Sequence, residues 1–488
     1  MSIESRSRFA IFTALGLSPF PLSVFRFRPF IYAFRLMPIS MRVWKTSSDL
    51  SSCCDLTLCY DEPRGMNPQR IVIIGAGLAG ATAAVTLRDE GFDGEIQLIG
   101  AERQLPYNRP PLSKGYLRGE ERLEDQRVNP PGIYAEKSIR LGLGTRVTAI
   151  DATKKHVEVE DGERIAYDRL LVATGGRNRS VSIPGAELDG VLQLRTVEES
   201  DRIRTRAQRG RRAVVVGLGF IGSEVAASLR QLGVEVTALA PDRAPLARVL
   251  GEEVGEVLAA IHREKGVELV LGDSVAAFEG SGRVERVRAT SGRLIECDFV
   301  VAGIGIVPNT ELVAAAGARV DNGVLVDEHC RTTLPDVYAA GDVTNHQHPI
   351  FGRLRVEHWN NGFQQGKAAA RAMLGGTRPY DYLHTFWSDQ YEHMIEYVGF
   401  AKSWDRVVFR GRPETRKFLG FYVKDGLVRA AVGINRGGDP EDPKADGELK
   451  SVVSLIRDRL KVQPERLADE DVDLRRLVET GSAAAEKR

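Results

Sequence analysis

Two glycine triplets carry most of the chemistry this chain could do. One is Gly75-Ala76-Gly77-Leu78-Ala79-Gly80, the other Gly217-Leu218-Gly219-Phe220-Ile221-Gly222. Glycines at this spacing suit a pyrophosphate: the first permits a tight turn, the second lets the backbone approach the ligand, and the third lets a helix pack close on a strand. The free N–H groups and positive dipole end of that helix then face the phosphates. A lone triplet is weak. Each of these follows an apolar run and opens a helical stretch, which favours a phosphate-binding turn over a merely structural one.

The elements that must hold these turns are legible around them. Ile71 to Ile74 reads as a strand, Ala79 to Glu90 as a helix and Ile96 to Ile99 as a second strand. The same grammar restarts at Ala213, with Val214 to Val216, Glu224 to Leu232 and Val234 to Leu239 in those roles. Strand, turn, helix, strand within roughly 30 residues is the βαβ unit of a nucleotide fold, and two copies mean two dinucleotide sites. In the first copy the second strand ends at Gly100, so Glu102 becomes the candidate ribose ligand. In the second copy the acid expected at the strand end is replaced by Ala240, followed by Pro241, Asp242 and Arg243. Without that carboxylate a 2′-phosphate is repelled less, and Arg243 could help to neutralise one, while Asp242 could equally replace the missing acid. NADH and NADPH both stay open.

Two further pieces suit a flavin. Leu170 to Ala173 is a buried-strand run ending in Thr174-Gly175-Gly176, where small residues let backbone meet cofactor. Val337-Tyr338-Ala339-Ala340-Gly341-Asp342 places a carboxylate directly after a strand. There Asp342 can accept hydrogen bonds from ribityl hydroxyls. It could also cap a helix, but with two triplets upstream the cofactor reading is preferred.

Composition bounds the rest. At 488 residues the chain is too long for one core. With 67 basic and 66 acidic residues the net charge is +1, which excludes a general appetite for nucleic acid. No apolar run in the body of the chain is long enough for a membrane span. The five cysteines show neither metal-ligand spacing nor a disulfide framework, so a cytoplasmic setting is expected, with Cys297 and Cys330 as inert thiols. The first 65 residues, rich in Phe, Ser and Arg, read as an unstructured leader or a mis-called start ahead of Met66, with a transit peptide as the other reading. His262 is expected on a helix surface, and His346 and His348 in a loop with no carboxylate partner, so no metal site is assigned. His358 beside Trp359 is a better functional candidate, with simple shaping of the pocket as its other reading. Arg436 to Gly447 reads as a mobile loop, and Arg457 to Arg476 as a solvated helical face or an oligomer contact, a homodimer being one option.

The run Pro106-Tyr107-Asn108-Arg109-Pro110-Pro111-Leu112-Ser113-Lys114, so soon after the first triplet, resembles the ferredoxin and rubredoxin reductases of oxygenase and P450 systems, with apoptosis-inducing-factor-like proteins as cousins. The resemblance spans essentially Gln69 to Val478 and includes Leu194 to Glu198, Gly303 to Thr310, Gly341-Asp342, Glu357-His358-Trp359 and Phe386-Trp387-Ser388-Asp389-Gln390. It implies that Arg109 holds the adenosine side of FAD, and that Lys114 sits near flavin N5 in a buried ion pair with Glu198. It further implies that Trp359 lies by the isoalloxazine and helps to seat the nicotinamide. Ala240 departs from the acid common in NADH-using members, so cofactor choice is not inherited. Glutathione-reductase-like relatives carry a redox cysteine pair after the first triplet. Here Leu112-Ser113-Lys114 stands in that place, so electrons must leave the flavin directly.

The expected architecture is therefore α/β: two Rossmann-like dinucleotide-binding domains, glutathione-reductase-like without the redox disulfide, plus a C-terminal α+β domain. Residues 1–66 form the leader, 67–182 and 307–378 the FAD-binding domain, 183–306 the NAD(P)-binding domain and 379–488 the C-terminal domain. The implied activity is hydride transfer from NADH or NADPH to FAD, then single electrons to a ferredoxin-type iron–sulfur protein. Alternatives are an NAD(P)H oxidase or small-acceptor reductase, and a nicotinamide-gated binding protein like apoptosis-inducing factor. Expected FAD contacts are Gly75, Gly77, Gly80, Glu102, Arg109, Lys114, Thr174, Gly175, Asp342 and Trp359. Gly217, Gly219, Gly222 and Arg243 are expected at the nicotinamide dinucleotide, and Lys114, Glu198 and Trp359 at the reacting atoms.

Overall fold

The computed structural model describes residues 69–438 and 447–478, so the leader and residues 439–446 of the expected mobile loop lie outside the described residues. The first sheet runs in the order Val337–Ala339, Arg169–Val172, Arg70–Ile74, Glu95–Gly100, Ile139–Leu143, with every pairing parallel. A parallel sheet covered on both faces needs apolar residues in succession rather than in alternation. Ile71, Val72 and Ile73, like Leu170, Leu171 and Val172, accordingly have no more than 1 % of their surface exposed. The edge strand Val337–Ala339 arrives only after a complete second sheet has been built. The helix that follows it, Trp359–Met373, then packs on Leu78–Asp89. Contact is close there because position 366 is glycine: a Cβ would sit 2.5 Å from the Ala79 carbonyl oxygen.

The second sheet repeats the plan with Glu268–Leu271, Glu235–Ala240, Arg212–Val216, Phe299–Ala302 and Val191–Leu192, again all parallel. The third is antiparallel, in the order Thr385–Gln390, His393–Gly399, Leu427–Ile434, Lys417–Lys424, Arg406–Arg412. Its strands show the two-residue period. Leu419, Phe421 and Val423 face one way and pack with Leu449, Val452 and Leu455 of the helix Leu449–Arg457. Phe418, Tyr422, Val432 and Ile434 face the other way and pack with Leu250, Val254, Leu258 and Ile261 of the helix Ala247–Glu264.

That second contact corrects the expectation for His262. It is fully buried, with Nε2 3.0 Å from Gln390 Oε1 and Nδ1 3.1 Å from the Tyr391 hydroxyl. The helix has a second partner, the C-terminal sheet, that its own sequence does not announce.

The segment Arg457 to Arg476 is likewise not one solvated helical face. It is a clasp on the third sheet: Leu460, Leu467 and Leu474 are buried, and the guanidinium of Arg410 gathers it. Arg410 is 4 % exposed, bonds Glu448 at 2.6 Å, and donates to the carbonyls of Asp469, Glu470 (3.3 Å) and Val472 (2.8 Å). Arg410→Met strips these acceptors of a buried charged donor, and removing one member of such a set costs about 3–5 kcal/mol. Urea unfolding is expected to show a loss of that order, with early proteolysis after residue 460. A loss near zero would mean the clasp holds without its arginine. No helix of the described residues is long and apolar enough to cross a membrane.

Candidate functional site

Each triplet folds into the same local device. Gly75 has φ +108° and a Cβ there would lie 2.1 Å from the Ala173 carbonyl oxygen; Gly217 has φ +91° and meets Gly303 in the same way at 2.5 Å. The third glycines are equally pinned, since a Cβ at Gly80 or Gly222 would strike the carbonyl oxygen of Gly75 or Gly217 at 2.0 or 1.9 Å. The middle glycines differ. Around Gly77 and Gly219 no atom lies within 4 Å of the built Cβ, so each turn leaves a space open to a ligand. The helices beginning there, Leu78–Asp89 and Phe220–Gln231, have no side-chain cap and no acid in the first turn. Their free N–H groups and positive dipole ends fit pyrophosphates, so the residues present suit two dinucleotides.

Three segments distant in sequence meet at Lys114. Its Nζ lies 3.3 Å from Glu224 Oε1 and 3.6 Å from Asp389 Oδ2, and 5.6 Å from the centre of the Trp387 ring. Glu224 is 4 % exposed and also accepts hydrogen bonds from Ser113 Oγ (2.5 Å) and Ser388 Oγ (2.7 Å). Burial pushes its carboxyl above the ordinary range, against the pull of Lys114 and the two serines.

The expected Lys114–Glu198 pair is therefore corrected to Lys114–Glu224. The reason is helix geometry. In Val197–Arg206 the inner face is Val197, Ser200 and Ile203, and Ser200 Oγ donates to the Leu112 carbonyl at 2.8 Å. Glu198 is one 100° step round from Val197 and is exposed. Glu224 had a signal of its own, an acid two residues after Gly222 in a stretch otherwise small and apolar. Asp389, Ser388 and Ser113 carried only the resemblance in the sequence, and their place around Lys114 and Glu224 emerged when the segments were brought together.

Trp359 opens the helix Trp359–Met373. Its Nε1 donates to Asn108 Oδ1 at 2.8 Å, and its ring stacks on Phe363 at 5.2 Å and meets Trp387 edge-on at 5.9 Å. This makes an aromatic shelf beside Lys114. Asp342 is bound by Arg195 at 2.8 Å, a partner not anticipated. Arg109 bonds Glu102 and the Arg195 carbonyl, and the Tyr107 hydroxyl donates to Glu102 at 2.6 Å. Burial opposes ionisation of Glu102, yet Arg109 and Tyr107 outweigh it and hold the carboxyl below its usual range. Thr174 is clamped by Asn309, donating to its carbonyl at 2.8 Å, and Gly175 follows with φ +61°. Arg243 is exposed just beyond Ala240.

His346 and His348 lie on a strand, Thr344–His348, not in a loop, and both are buried beside His384. His348 Nδ1 accepts from the Ile350 amide at 3.1 Å while Nε2 faces the Tyr382 carbonyl, which specifies a neutral ring protonated at Nε2. Burial lowers His346 to about 3, His262, His348 and His358 to about 4, and His384 well below its ordinary value. Each depressed value favours the unfolded chain once protons are available. Stability is therefore complete above about pH 6.5 and falls on acidification, by up to roughly 1.4 kcal/mol per pH unit per histidine until its folded value is reached. Denaturant midpoints measured from pH 7 to pH 5 are expected to drop steeply, and a flat profile would contradict the burial of these rings. Burial also pushes the Cys297 thiol up to about 12 and Cys330 further still, so neither is a thiolate at neutral pH.

Comparison with known proteins adds to this geometry. Residues 69–366 match the family model for pyridine nucleotide-disulphide oxidoreductases, and residues 385–478 match the reductase C-terminal model. The chain is 36% identical over 420 residues to putidaredoxin reductase CamA of Pseudomonas putida, covering 85% of this chain and 97% of that protein. It is 38% identical over 415 residues to the ferredoxin–NAD(+) reductase component of the anthranilate 1,2-dioxygenase system of Burkholderia cepacia, covering 84% of this chain and 99% of that one. Among solved structures it superposes on the covalent putidaredoxin reductase–putidaredoxin complex with a TM-score of 0.80 and 36% identity, over 85% of this chain and 99% of that chain.

Proposed function

The chain belongs to the pyridine nucleotide-disulphide oxidoreductase family, and from that membership we propose how its residues work as an FAD-containing, NAD(P)H-dependent ferredoxin reductase. The observation that carries the reading is the centre at Lys114. One member comes from the segment after the first cradle, one from the helix of the second cradle, and one from the C-terminal sheet. A group fed from all three sides stands where two dinucleotides in those cradles would converge.

FAD, when bound, supplies the conversion of a two-electron hydride donor into one-electron steps that an iron–sulfur protein can take. The protein supplies position and electrostatics. In this proposal Gly77 and the helix after it receive the FAD pyrophosphate, while Glu102 and Arg109 hold its adenosine side. Thr174, Gly175 and Asp342 line the ribityl chain, with Arg195 fixing the Asp342 carboxylate. Gly219 and its helix receive the nicotinamide dinucleotide. Trp359, braced by Asn108 and Phe363, offers a flat apolar wall that seats the reacting ring and keeps water away.

Lys114 places a positive charge beside the flavin, and Glu224 holds it there. The Lys114 side chain is 12 % exposed, so a partner is needed to offset the desolvation of its charge. The domain limits 67–182 with 307–378, 183–306 and 379–488 belong to the same reading, as does a cytoplasmic setting, which the free buried thiols suit. The acceptor proposed is a small ferredoxin-type protein, in keeping with the named relatives.

Anaerobic stopped-flow mixing with NADH and with NADPH, followed by a ferredoxin and cytochrome c, tests the proposal. Fast bleaching of the flavin followed by ferredoxin-dependent cytochrome reduction is expected. Slow bleaching with both donors would sink the reductase, and fast bleaching with no gain from ferredoxin would turn it into an oxidase or small-acceptor reductase.

A further inference from the structure

The edge of the second sheet beyond Gly219 carries a charge pattern that the donor must meet. In a nucleotide fold the residue closing the second strand faces the adenosine ribose, and a carboxylate there binds the two hydroxyls and repels a 2′-phosphate. Here the strand Glu235–Ala240 closes on Ala240, which is 2 % exposed and has nothing to offer a hydroxyl.

Two other carboxylates lie near enough to substitute, and both are engaged. Asp242 accepts from Arg248 Nε at 3.0 Å. Asp273, whose amide donates to the Ala240 carbonyl at 3.2 Å, turns its carboxylate away to the amide of Ser274 (2.8 Å) and the hydroxyls of Thr290 (2.5 Å) and Ser291. Against these stand two arginines. Arg243 is exposed and has no ion pair among the described residues, and the side chain of Arg248 is 75 % exposed, reached from the helix Ala247–Glu264. Guanidinium groups in a fork suit a phosphate monoester, while a ribose diol gains little from them.

We propose that this site takes NADPH in preference to NADH, with Arg243 and Arg248 gripping the 2′-phosphate. The proposal rests on the dinucleotide site assigned above to Gly219. Ala240 removes the repelling charge, Arg248 neutralises Asp242, and Arg243 is left free for the ligand.

Calorimetric titration of the flavin-loaded full-length protein with 2′,5′-ADP and, separately, with ADP reads the preference without turnover. At least tenfold tighter binding of 2′,5′-ADP is expected. Arg243→Ala and Arg248→Ala are each expected to erase most of that margin, the pattern for a phosphate contact. Ala240→Glu is expected to move the margin towards ADP. Equal or tighter binding of ADP by the unaltered protein would overturn the preference alone. Failure of both probes would overturn it together with the dinucleotide site at Gly219. If 2′,5′-ADP binds better but both arginine variants keep the full margin, the grip assigned to these side chains is wrong.

Discussion

Gly219→Ala is expected to yield a folded, yellow protein whose flavin is reduced by NAD(P)H only at raised donor concentration, and Gly77→Ala a folded protein that holds its flavin far more weakly. Both middle glycines have backbone angles that alanine adopts without strain, φ −82° and ψ −169° at Gly77, φ −73° and ψ −168° at Gly219. Neither built Cβ meets another atom within 4 Å. The added methyl thus costs the fold nothing and occupies only the space that a pyrophosphate needs. Overpacking of that kind costs about 1–3 kcal/mol, or roughly 5–150-fold in affinity. The ratio of flavin to protein absorbance, the dependence of bleaching rate on donor concentration, and the melting temperature separate binding from stability. Gly80→Ala and Gly222→Ala serve as contrasts, because their Cβ atoms would strike backbone oxygen at 2.0 and 1.9 Å and damage the turn itself. Normal flavin content in Gly77→Ala, or an unchanged donor dependence in Gly219→Ala, would remove the corresponding cradle from the site.

Glu224 should produce the other large effect. Glu224→Leu leaves Lys114 with Asp389, which is 43 % exposed and 3.6 Å away. It also strips the hydroxyls of Ser113 and Ser388 of their acceptor. Leaving one member of a buried pair uncompensated costs about 3–5 kcal/mol, so a lowered urea midpoint is expected. Glu224→Gln keeps an oxygen for the serines and separates charge from packing. Removing a directly placed electrostatic group typically slows an enzyme by about 10²–10³. Glu224 acts through Lys114, so about tenfold slower flavin reduction is expected in Glu224→Gln, with a changed flavin reduction potential and a smaller loss of stability than in Glu224→Leu because the serines keep an acceptor. An unchanged rate and potential would reduce the Lys114–Glu224 pair to a structural contact.

The reciprocal variant has a spectroscopic reading. Burial raises Glu224, and Lys114 is the strongest influence holding it down. In Lys114→Met the carboxyl rises further, so it should keep its proton to higher pH than in the unaltered protein. A carbonyl stretch that titrates at higher pH in Lys114→Met, and is absent when Glu224→Gln is added, would assign the proton to this group. No such band at any pH between 5 and 9 would contradict the burial of the carboxylate.

Much of this protein is legible in its sequence because the βαβ unit is local. The strand Arg70–Ile74, its turn and the helix Leu78–Asp89 are specified by apolar period and backbone conformation within a few tens of residues, although the strand Arg169–Val172 and the helix Trp359–Met373 later pack on them. The glycines mark that local solution twice, since only glycine permits φ +108° at position 75 beside the Ala173 carbonyl. Apolar succession in the strands announced parallel sheets buried on both faces. Asp342 was legible from its place directly after a strand, whereas Arg109 and Trp359 were expected only from the family resemblance.

Other residues depended on which surfaces the folded chain brings together. Glu198 and Glu224 are both acids near a helix start, and spacing alone does not say which one turns inward. That choice was made when Val197, Ser200 and Ile203 took the inner face of one helix, and when the serines at 113 and 388 closed over the other. His262 resembled a surface residue until the C-terminal sheet covered its helix, and Asp389 reached Lys114 only through that sheet. The sequence by itself determined two dinucleotide cradles and their order along the chain, because backbone conformation and hydrophobic period are short-range properties. Only the tertiary structure decided the partner of Lys114, because a buried ion pair is selected by desolvation, which exists only once distant segments have excluded water from the same place.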